Sequence, residues 1–205
     1  MTDTGIFYGT GASEGVPSPF CDCPMCNYAR EHGGKDVRKR SCFRLGRNIM
    51  IDMGPDIFTQ ALQYGSMCDI EHVLITHTHD DHFNFTALGL MSMATHLRTT
   101  PVHFYFSEEG YRFIELLRDS EIAFGGTLRG MEKKGIYAFH KLKYFETYSI
   151  GEYEVTPIRG NHGGNMAKER SANYVLKAKD GTKMLYGMDT GLYEDCLLYT
   201  SDAAD

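Results

Sequence analysis

The residues from Leu74 to Phe83, LITHTHDDHF, place three histidines and two aspartates in six consecutive positions. Ionisable groups packed this closely lose hydration energy on burial and repel one another when their charges are alike. Folding alone therefore gives no reason to collect them. Imidazole and carboxylate groups together are suitable ligands for zinc, iron or manganese. The stretch indicates a site for a divalent cation that neutralises these groups.

The segment VLITH, which ends at His77, begins with an apolar run that is typical of a buried strand. Because side chains alternate between faces along a strand, His77, His79 and Asp81 are predicted to leave it on one side. His82 is predicted to turn away as the chain enters a loop. A polar loop with chance histidines is the alternative. The position at the carboxyl end of a strand, where α/β proteins place their sites, favours the metal site.

A second group of candidate ligands lies in FCDCPMC, where Cys21, Cys23 and Cys26 follow a C-x-C-x2-C pattern. Three thiols this close in sequence do not readily form disulfides among themselves. A structural zinc is the preferred interpretation, and it needs a fourth donor from elsewhere because zinc binds four ligands in a tetrahedron. Three thiols without a metal are the alternative. Cys42 and Cys68 are single cysteines and are predicted to be packed side chains.

Length and composition favour one globular domain. The chain has 205 residues, of which 42% are hydrophobic and 23% charged, enough to bury one good core. The N-terminus shows no leader segment and no run reaches the roughly 18 apolar residues of a membrane span, so a cytoplasmic protein without membrane contact is expected. The net charge of −6 argues against general nucleic-acid binding.

The stretch from Arg30 to Arg47 is locally basic, with seven Lys or Arg residues against two acids. A solvated surface is one interpretation of this charge. The other is that Arg38 and Arg40 bind a phosphate group of the substrate.

Strands and helices are predicted to alternate through the first part of the chain. Strands are predicted for GIFYGTG, EHVLITH and PVHFYF. Two further strands are predicted within SCFRLGRNIMIDMG, around a turn at residues 45–48. Helices are predicted from Pro55 to Gly65, from Thr86 to Leu97 and over SEEGYRFIELLRDS, with Ser107 as its N-cap. The later segments KLKYFETYSI, YEVTPIRGNH, ANYVLKAKD and KMLYGMDTG predict further strands. The order indicates a mixed α/β layer structure.

The last ten residues, CLLYTSDAAD, resemble one reading frame of a sequencing adaptor over their whole length. They are predicted to be a non-native tail, so that the native domain covers residues 1–195. A genuine polar C-terminal tail is the alternative.

The stretch HTHDDH resembles the H-x-H-x-D-H signature of the metallo-β-lactamase-fold hydrolases. Three further segments resemble motifs of that family in the same order, namely IDMGPD, RGNHGG and YGMDTG. The resemblance implies an α/β fold, the metallo-β-lactamase αββα sandwich, incomplete here at its C-terminal end. It also implies the following roles: a first metal on His77, His79 and His162, a second on Asp81 and His82, Asp189 on both, and Asp52 orienting the histidine loop.

One ligand of that family has no counterpart in this chain. The second metal of the family is completed by a histidine near the C-terminus, and no histidine follows Asp189. The remaining histidines match no ligand position of the family and are predicted to be ordinary surface or core residues: His32, His72, His96, His103 and His140.

The segments GTGASEGVPSPFCDCPMC and RKRSC resemble one branch of the fold, the phosphoribosyl 1,2-cyclic phosphate phosphodiesterases and their relatives. That branch carries a cysteine insertion, here at about residues 18–40. Its structural zinc takes a fourth ligand from a histidine near the C-terminus. A single truncation would explain both missing donors, so the chain is expected to be a weakly active or inactive fragment of an active parent.

The resemblance implies a metal-dependent hydrolase with two divalent metals, Zn or Mn, at the active site. Two such metals can hold a hydroxide between them and stabilise charge on phosphoryl oxygens, so a small cyclic or phosphorylated diester is the predicted substrate. Asp52, Asp81 and His82 are predicted to serve catalysis. Assembly as a homodimer is left open.

Three other functions are weighed against this one. Thioester hydrolases of the glyoxalase type usually continue the motif as D-H-x-G-G, whereas DHFNF has no glycine. A tRNA 3′-processing nuclease would need a basic arm that grips RNA, and the sequence shows no such insertion. A non-enzymatic zinc-binding remnant is the alternative from another class.

Overall fold

The computed structural model describes residues 4–94, 99–121 and 126–191. Within them, two β-sheets pack face to face, and helices cover the other face of the first sheet. The predicted non-native tail at residues 196–205 and His96 lie outside the described residues, so the domain limit at residue 195 stays a prediction. Every helix in the described part is too short or too polar to span a membrane.

The first sheet has six strands, which lie side by side in chain order: β1 (Gly5–Gly9), β2 (Cys42–Leu45), β3 (Ile49–Ile51), β4 (His72–Leu74), β5 (Val102–Ser107) and β6 (Tyr137–Leu142). β1, β2 and β3 are antiparallel neighbours, whereas β4, β5 and β6 each run parallel to the strand before. The predicted turn between β2 and β3 is confirmed, and Gly46 there has a positive φ of 57°, which glycine adopts without strain.

The second sheet has four antiparallel strands: β7 (Tyr148–Ile150), β8 (Tyr153–Arg159), β9 (Ala172–Lys177) and β10 (Lys183–Tyr186). Their order in the sheet is β10, β9, β8, β7. The prediction of KLKYFETYSI as one strand is wrong. Its residues form the end of β6, a turn and β7, and Phe145 in that turn has a positive φ of 65°, which no strand residue adopts.

The described part contains five α-helices: α1 (Pro24–His32), α2 (Ile57–Tyr64), α3 (Phe85–Met93), α4 (Glu108–Leu117) and α5 (Leu128–Lys133). The predicted helices α2, α3 and α4 are confirmed, including the cap of α4, where Ser107 Oγ accepts a hydrogen bond from Gly110 N at 3.1 Å. The predicted end of α3 at Leu97 is not confirmed, because the helix ends at Met93 with Ala94 as its C-cap. The sequence patterns predicted neither α1 nor α5.

Two apolar cores define the layers. Side chains of α2 to α5, among them Ile57, Leu88 and Ile114, pack with Val73 and Phe104 on one face of the first sheet. The opposite face packs against the second sheet through residues such as Ile49, Leu74, Val155 and Tyr174. These layers confirm the predicted α/β sandwich. The predicted incompleteness at the C-terminal end concerns residues outside the described part.

Candidate metal centre

The histidine loop follows β4, and the backbone after β3 runs beside it. Asp52 N donates a hydrogen bond to Leu74 O at 2.9 Å, and Met53 N donates one to His82 O at 2.7 Å. Because β3 and β4 are parallel neighbours, their carboxyl ends meet at one edge of the sheet. The two contacts therefore hold the loop at both of its ends.

His77, His79 and His162 bring their ring nitrogens together above this edge. His77 Nε2 lies 3.0 Å from His79 Nδ1, which lies 3.3 Å from His162 Nε2. His162 follows β8, so the second sheet supplies one of the three nitrogens. One ligand atom from each of the three residues lies within 4.8 Å of the others, and such a group can hold one ion.

Asp189 places a carboxylate oxygen between the histidines. Its Oδ2 lies 3.3 Å from His82 Nε2, 3.7 Å from His162 Nε2 and 3.8 Å from His77 Nε2. Asp189 follows β10 and has a positive φ of 44°, which aspartate adopts more readily than most residues. His77, His82 and Asp189 form a second group with ligand atoms within 4.8 Å. The two groups share His77 and meet at Asp189.

The structure corrects the predicted direction of His82. This residue does not turn away, because its Nε2 lies 3.3 Å from Asp81 Oδ2 and its ring centre lies 4.2 Å from that of His77. The alternation argument fails at this point because β4 ends at Leu74, and the residues beyond it follow loop geometry.

Asp52 lies fully buried beside the loop and orients two of the rings. Its Oδ1 accepts a hydrogen bond from Thr76 N at 2.8 Å, and its Oδ2 accepts one from His82 Nδ1 at 2.7 Å. Thr76 Oγ1 donates to the same carboxylate and lies 3.1 Å from His77 Nδ1. Because both Nδ1 atoms are engaged on this side, the Nε2 atoms of His77 and His82 face the other ligands.

The pKa values separate a neutral histidine from a charged one. Burial, together with the nearby His82, lowers the pKa of His77 to about 3, so this imidazole is neutral at pH 7. Burial also disfavours protonation of His82, but Asp52 and Asp189 outweigh it and raise the pKa of His82 to about 12. The hydrogen bond with His82 lowers the pKa of Asp189 to about 2.

These donors fit divalent cations. A histidine must be neutral to bind a metal, and His77 already is, so its Nε2 lone pair is available without loss of a proton. The positive charge of protonated His82 is balanced by Asp52 at Nδ1 and by Asp189 at Nε2. A cation bound between His82 Nε2 and Asp189 would replace the proton on Nε2. The mixture of imidazole nitrogen and carboxylate oxygen suits zinc, iron or manganese.

Comparison with known proteins identifies the family. The family model of the β-lactamase superfamily domain matches residues 47–205, which is most of the chain. The chain belongs to the β-lactamase superfamily. Its two packed sheets agree with this membership, and the prediction of a metallo-β-lactamase-fold hydrolase is confirmed.

Three solved structures of the superfamily fold are similar to this chain. A diphosphatase from the PhnP family is 22% identical with a TM-score of 0.65, over 86% of this chain and 63% of that chain. Zn²⁺-bound PqqB from Methylobacterium extorquens is 16% identical with a TM-score of 0.65, over 88% and 63%. The short form of human tRNase Z is 20% identical with a TM-score of 0.58, over 96% and 73%. At these identities the similarity shows the fold alone.

The curated relative that matches is an octanoyltransferase of Porphyromonas gingivalis, 37% identical over 81 residues. The match covers 38% of this chain and 16% of that protein. The chain thus spans about a sixth of this relative and less than two thirds of the first two solved structures. A match to so small a part gives no basis for assigning a transferase activity to this superfamily member.

The three cysteines of the insertion also converge. The Sγ atoms of Cys21, Cys23 and Cys26 lie within 4.8 Å of one another. Arg30, from α1, donates to Ser18 O at 2.8 Å and to Cys21 O at 2.7 Å, which closes the loop around them. Hydrogen bonds from the Cys26 backbone and from the two other thiols lower the pKa of Cys23 to about 7. A thiolate, the form that binds metal, is therefore accessible near neutral pH.

The two arginines predicted to face a phosphate differ in their surroundings. Arg40 Nη1 lies 2.8 Å from Asp56 Oδ1, and Arg40 Nε donates to Ser13 O at 3.0 Å, so its guanidinium already has structural partners. Arg38 is exposed and donates to Thr10 Oγ1 at 3.0 Å. The phosphate role stays a prediction for both, and Arg38 is the better placed to meet a ligand from solvent.

Sequence reasoning did not single out Thr76, Thr78 or Glu169, although all three are buried among the ligands. The alternation of threonine with histidine in ITHTHD is the signal that was available for the two threonines. Glu169 had no such signal, because its partner Thr78 lies far along the chain.

The remaining described histidines lie elsewhere. His103 Nδ1 is 2.8 Å from His140 Nε2, and His72 Nδ1 is 3.1 Å from the hydroxyl of Tyr105. His72, His103 and His140 lie on β4, β5 and β6 and are half-buried, and the fourth, His32, is exposed at the end of α1. The contacts among the three half-buried rings and the exposure of His32 agree with the prediction of all four as ordinary residues.

Proposed function

We propose that this chain is a metal-dependent phosphodiesterase that hydrolyses a small cyclic or phosphorylated diester. The observation that carries the proposal is the position of Asp189 Oδ2, within 3.8 Å of Nε2 atoms from three histidines on two separate segments, the loop after β4 and the segment after β8. Such a carboxylate, next to two groups of ligands, suits a pair of cations that share it. The proposed metals are two Zn²⁺ or Mn²⁺ ions.

Each side chain has a proposed role in this centre. His77, His79 and His162 hold the first metal, while Asp81 and His82 hold the second. Asp189 binds both, and Asp52 is a positioning residue that acts through His82 and Thr76. When bound, the two cations supply a water-derived nucleophile at neutral pH and stabilise negative charge on phosphoryl oxygens.

Three observations support a phosphorylated substrate. The segment GTGASEGVPSPFCDCPMC resembles the cyclic phosphodiesterase branch, and a diphosphatase is among the proteins with a similar fold. Arg38 is exposed, and its guanidinium can pair with a substrate phosphate. The low turnover expected of the 205-residue chain stays a prediction. Its cytoplasmic location, its lack of nucleic-acid and membrane contacts, and its assembly state also stay predictions.

The test is a substrate panel with the metal-loaded protein: phosphoribosyl 1,2-cyclic phosphate, bis(p-nitrophenyl) phosphate, a precursor tRNA and S-lactoylglutathione. Slow hydrolysis of the two phosphodiesters is expected from the 205-residue chain, with loss on chelation and return on adding Zn²⁺ or Mn²⁺. In the same assay, Arg38→Ala is expected to raise KM for the phosphoribosyl substrate about tenfold and to leave KM for the chromogenic diester, which lacks a second phosphate, unchanged.

The other outcomes decide between the alternatives. Faster turnover of the tRNA or of the thioester would replace the phosphodiesterase proposal with a nuclease or a thioester hydrolase. Tight metal binding with no turnover of any substrate would favour a zinc-binding protein without catalysis. An unchanged KM in Arg38→Ala would remove the phosphate role of that residue.

The cysteine insertion is proposed to hold one structural zinc through Cys21, Cys23 and Cys26. Cys26→Ser is expected to remove that zinc and to lower the thermal midpoint by about 5 °C, because the metal holds the loop before α1. Zinc per chain after gel filtration and a thermal melt are the measurements. Cys68→Ser is the control, because Cys68 lies outside the insertion and is exposed, so its prediction as a packed side chain is wrong, whereas that of the buried Cys42 is confirmed. Equal zinc content in both variants would contradict the site.

A further inference from the structure

We infer that Glu169 is a positioning residue that locks the His77 and His79 ligands to the segment that carries His162, an inference that rests on the proposed metal centre. The motif places Thr78 between the two histidines. Thr78 is completely buried, and its surroundings fix the backbone from which both rings project. The contacts of this one residue therefore set the distance between the two imidazoles.

Glu169 binds Thr78 through both of its oxygens. Its Oε1 accepts a hydrogen bond from Thr78 N at 2.9 Å, and its Oε2 accepts one from Thr78 Oγ1 at 2.6 Å. Oε2 accepts a further hydrogen bond from Met166 N at 3.1 Å. All three partners are donors, which is the pattern that an ionised carboxylate requires. With 1% of its surface exposed, Glu169 has almost no water to replace them.

The segment around Glu169 also contacts Thr78 from the other side. Asn165 N donates to Thr78 Oγ1 at 3.0 Å, and Asn165 Nδ2 donates to Thr78 O. Ser171 N donates to His162 O at 2.8 Å, which ties the same segment to the third histidine. Thr78 is thus held from several directions by residues that follow His162.

Glycine leaves the space that Glu169 occupies. A Cβ atom at Gly164 would lie 2.2 Å from the Glu169 carboxyl carbon, and one at Gly110 would lie 3.1 Å from its Oε1. The neighbouring Gly163 has no heavy atom within 4 Å of such a Cβ. The pair Gly163 and Gly164 therefore allows the same substitution to be made with and without displacing Glu169.

The consequence for the metal centre follows from geometry. A ligand set within a few tenths of an ångström of the required distances binds a cation more tightly than one that must be drawn together. Displacing Glu169 frees Thr78 and with it the spacing between His77 and His79. The first metal site is then expected to weaken, although no ligand has been changed.

The experiment compares Gly164→Ala with Gly163→Ala, and Thr78→Val with Thr78→Ser. The readouts are the Zn²⁺ dissociation constant by competition with a chromophoric chelator, the visible spectrum of the Co²⁺-loaded protein and the thermal midpoint of the metal-free protein. Gly164→Ala and Thr78→Val are expected to weaken Zn²⁺ binding about 10- to 100-fold and to change the Co²⁺ spectrum. Gly163→Ala and Thr78→Ser, which retains the hydroxyl, are expected to stay within about threefold of the wild type.

The results separate this inference from the proposed function. A lower thermal midpoint with unchanged Zn²⁺ affinity and Co²⁺ spectrum in Gly164→Ala and Thr78→Val would overturn it, because Glu169 would then only stabilise the fold. If Gly164→Ala does not fold, the Thr78 pair decides by the same criteria. Equal Zn²⁺ affinity in wild type and His162→Ala would instead overturn the proposed metal centre, and this inference with it.

Discussion

Asp189→Asn is expected to lower kcat for the phosphodiester by roughly 10²- to 10³-fold and to reduce the metal content of the protein. Asparagine keeps the shape of the side chain and removes its charge. The oxygen concerned lies within 3.8 Å of Nε2 of His77, His82 and His162, and in the described part of the chain no other carboxylate oxygen lies within 4.0 Å of a nitrogen in all three rings. Steady-state kinetics and metal analysis on the same preparations measure both effects.

The control for this substitution is Asp80→Asn. Asp80 belongs to the same HTHDDH stretch, but its side chain is exposed, so its removal is expected to change kcat less than twofold. A similar loss in both variants would show that charge in the loop matters in general and that Asp189 has no special place in the centre. A full metal complement in Asp189→Asn would also contradict its proposed role as a shared ligand.

Asp52→Ala is expected to lower the free energy of unfolding of the metal-free protein by about 3–5 kcal/mol. The substitution leaves the buried His82 and Thr76 N without their partner. It also places alanine at a φ of 62°, which aspartate and asparagine tolerate better. Asp52→Asn is therefore expected to cost less than Asp52→Ala. Urea denaturation in the presence of a chelator measures both variants.

The pH dependence of the Asp52 pair has a definite sign. The pKa of His82 rises from its usual 6.5 to about 12 on folding, so its contribution is complete below pH 6.5 and declines as the pH rises toward 12. The stability difference between wild type and Asp52→Asn should shrink steadily from pH 7 to pH 10. A difference that stays constant over this range would contradict a charged His82 in the metal-free protein.

The motifs predicted which residues converge more accurately than they predicted the orientation of the side chains. HTHDDH, RGNHGG and YGMDTG contain the side chains that the structure brings together, because the chemistry of a metal site restricts residue type and order. The direction of His82 followed from strand alternation, and this argument failed because the strand ends at Leu74, before the motif. Ligand identity is a property of local sequence, whereas ring orientation depends on Asp52 and Thr76.

The missed elements have equally specific causes. α1 begins at Pro24, a position where the fixed φ of proline fits a first helical turn. The cysteines on both sides of Pro24 are interpreted as metal ligands, and that interpretation does not use the helix signal. α5 has six residues with a glycine inside, too short for an apolar periodicity. Glu169 and Thr78 pair across a long stretch of chain, and no local pattern in a single sequence reports such a contact.

The division of the proposed ligands between the two sheets has a consequence for the order of folding. His77, His79, Asp81 and His82 follow β4 of the first sheet, whereas His162 and Asp189 follow β8 and β10 of the second. The ribosome releases the first set well before the second, and contacts between distant segments form late. Cation capture is therefore expected to be among the last steps of maturation, so the nascent chain carries an open half-site with unmatched histidines until the second sheet docks.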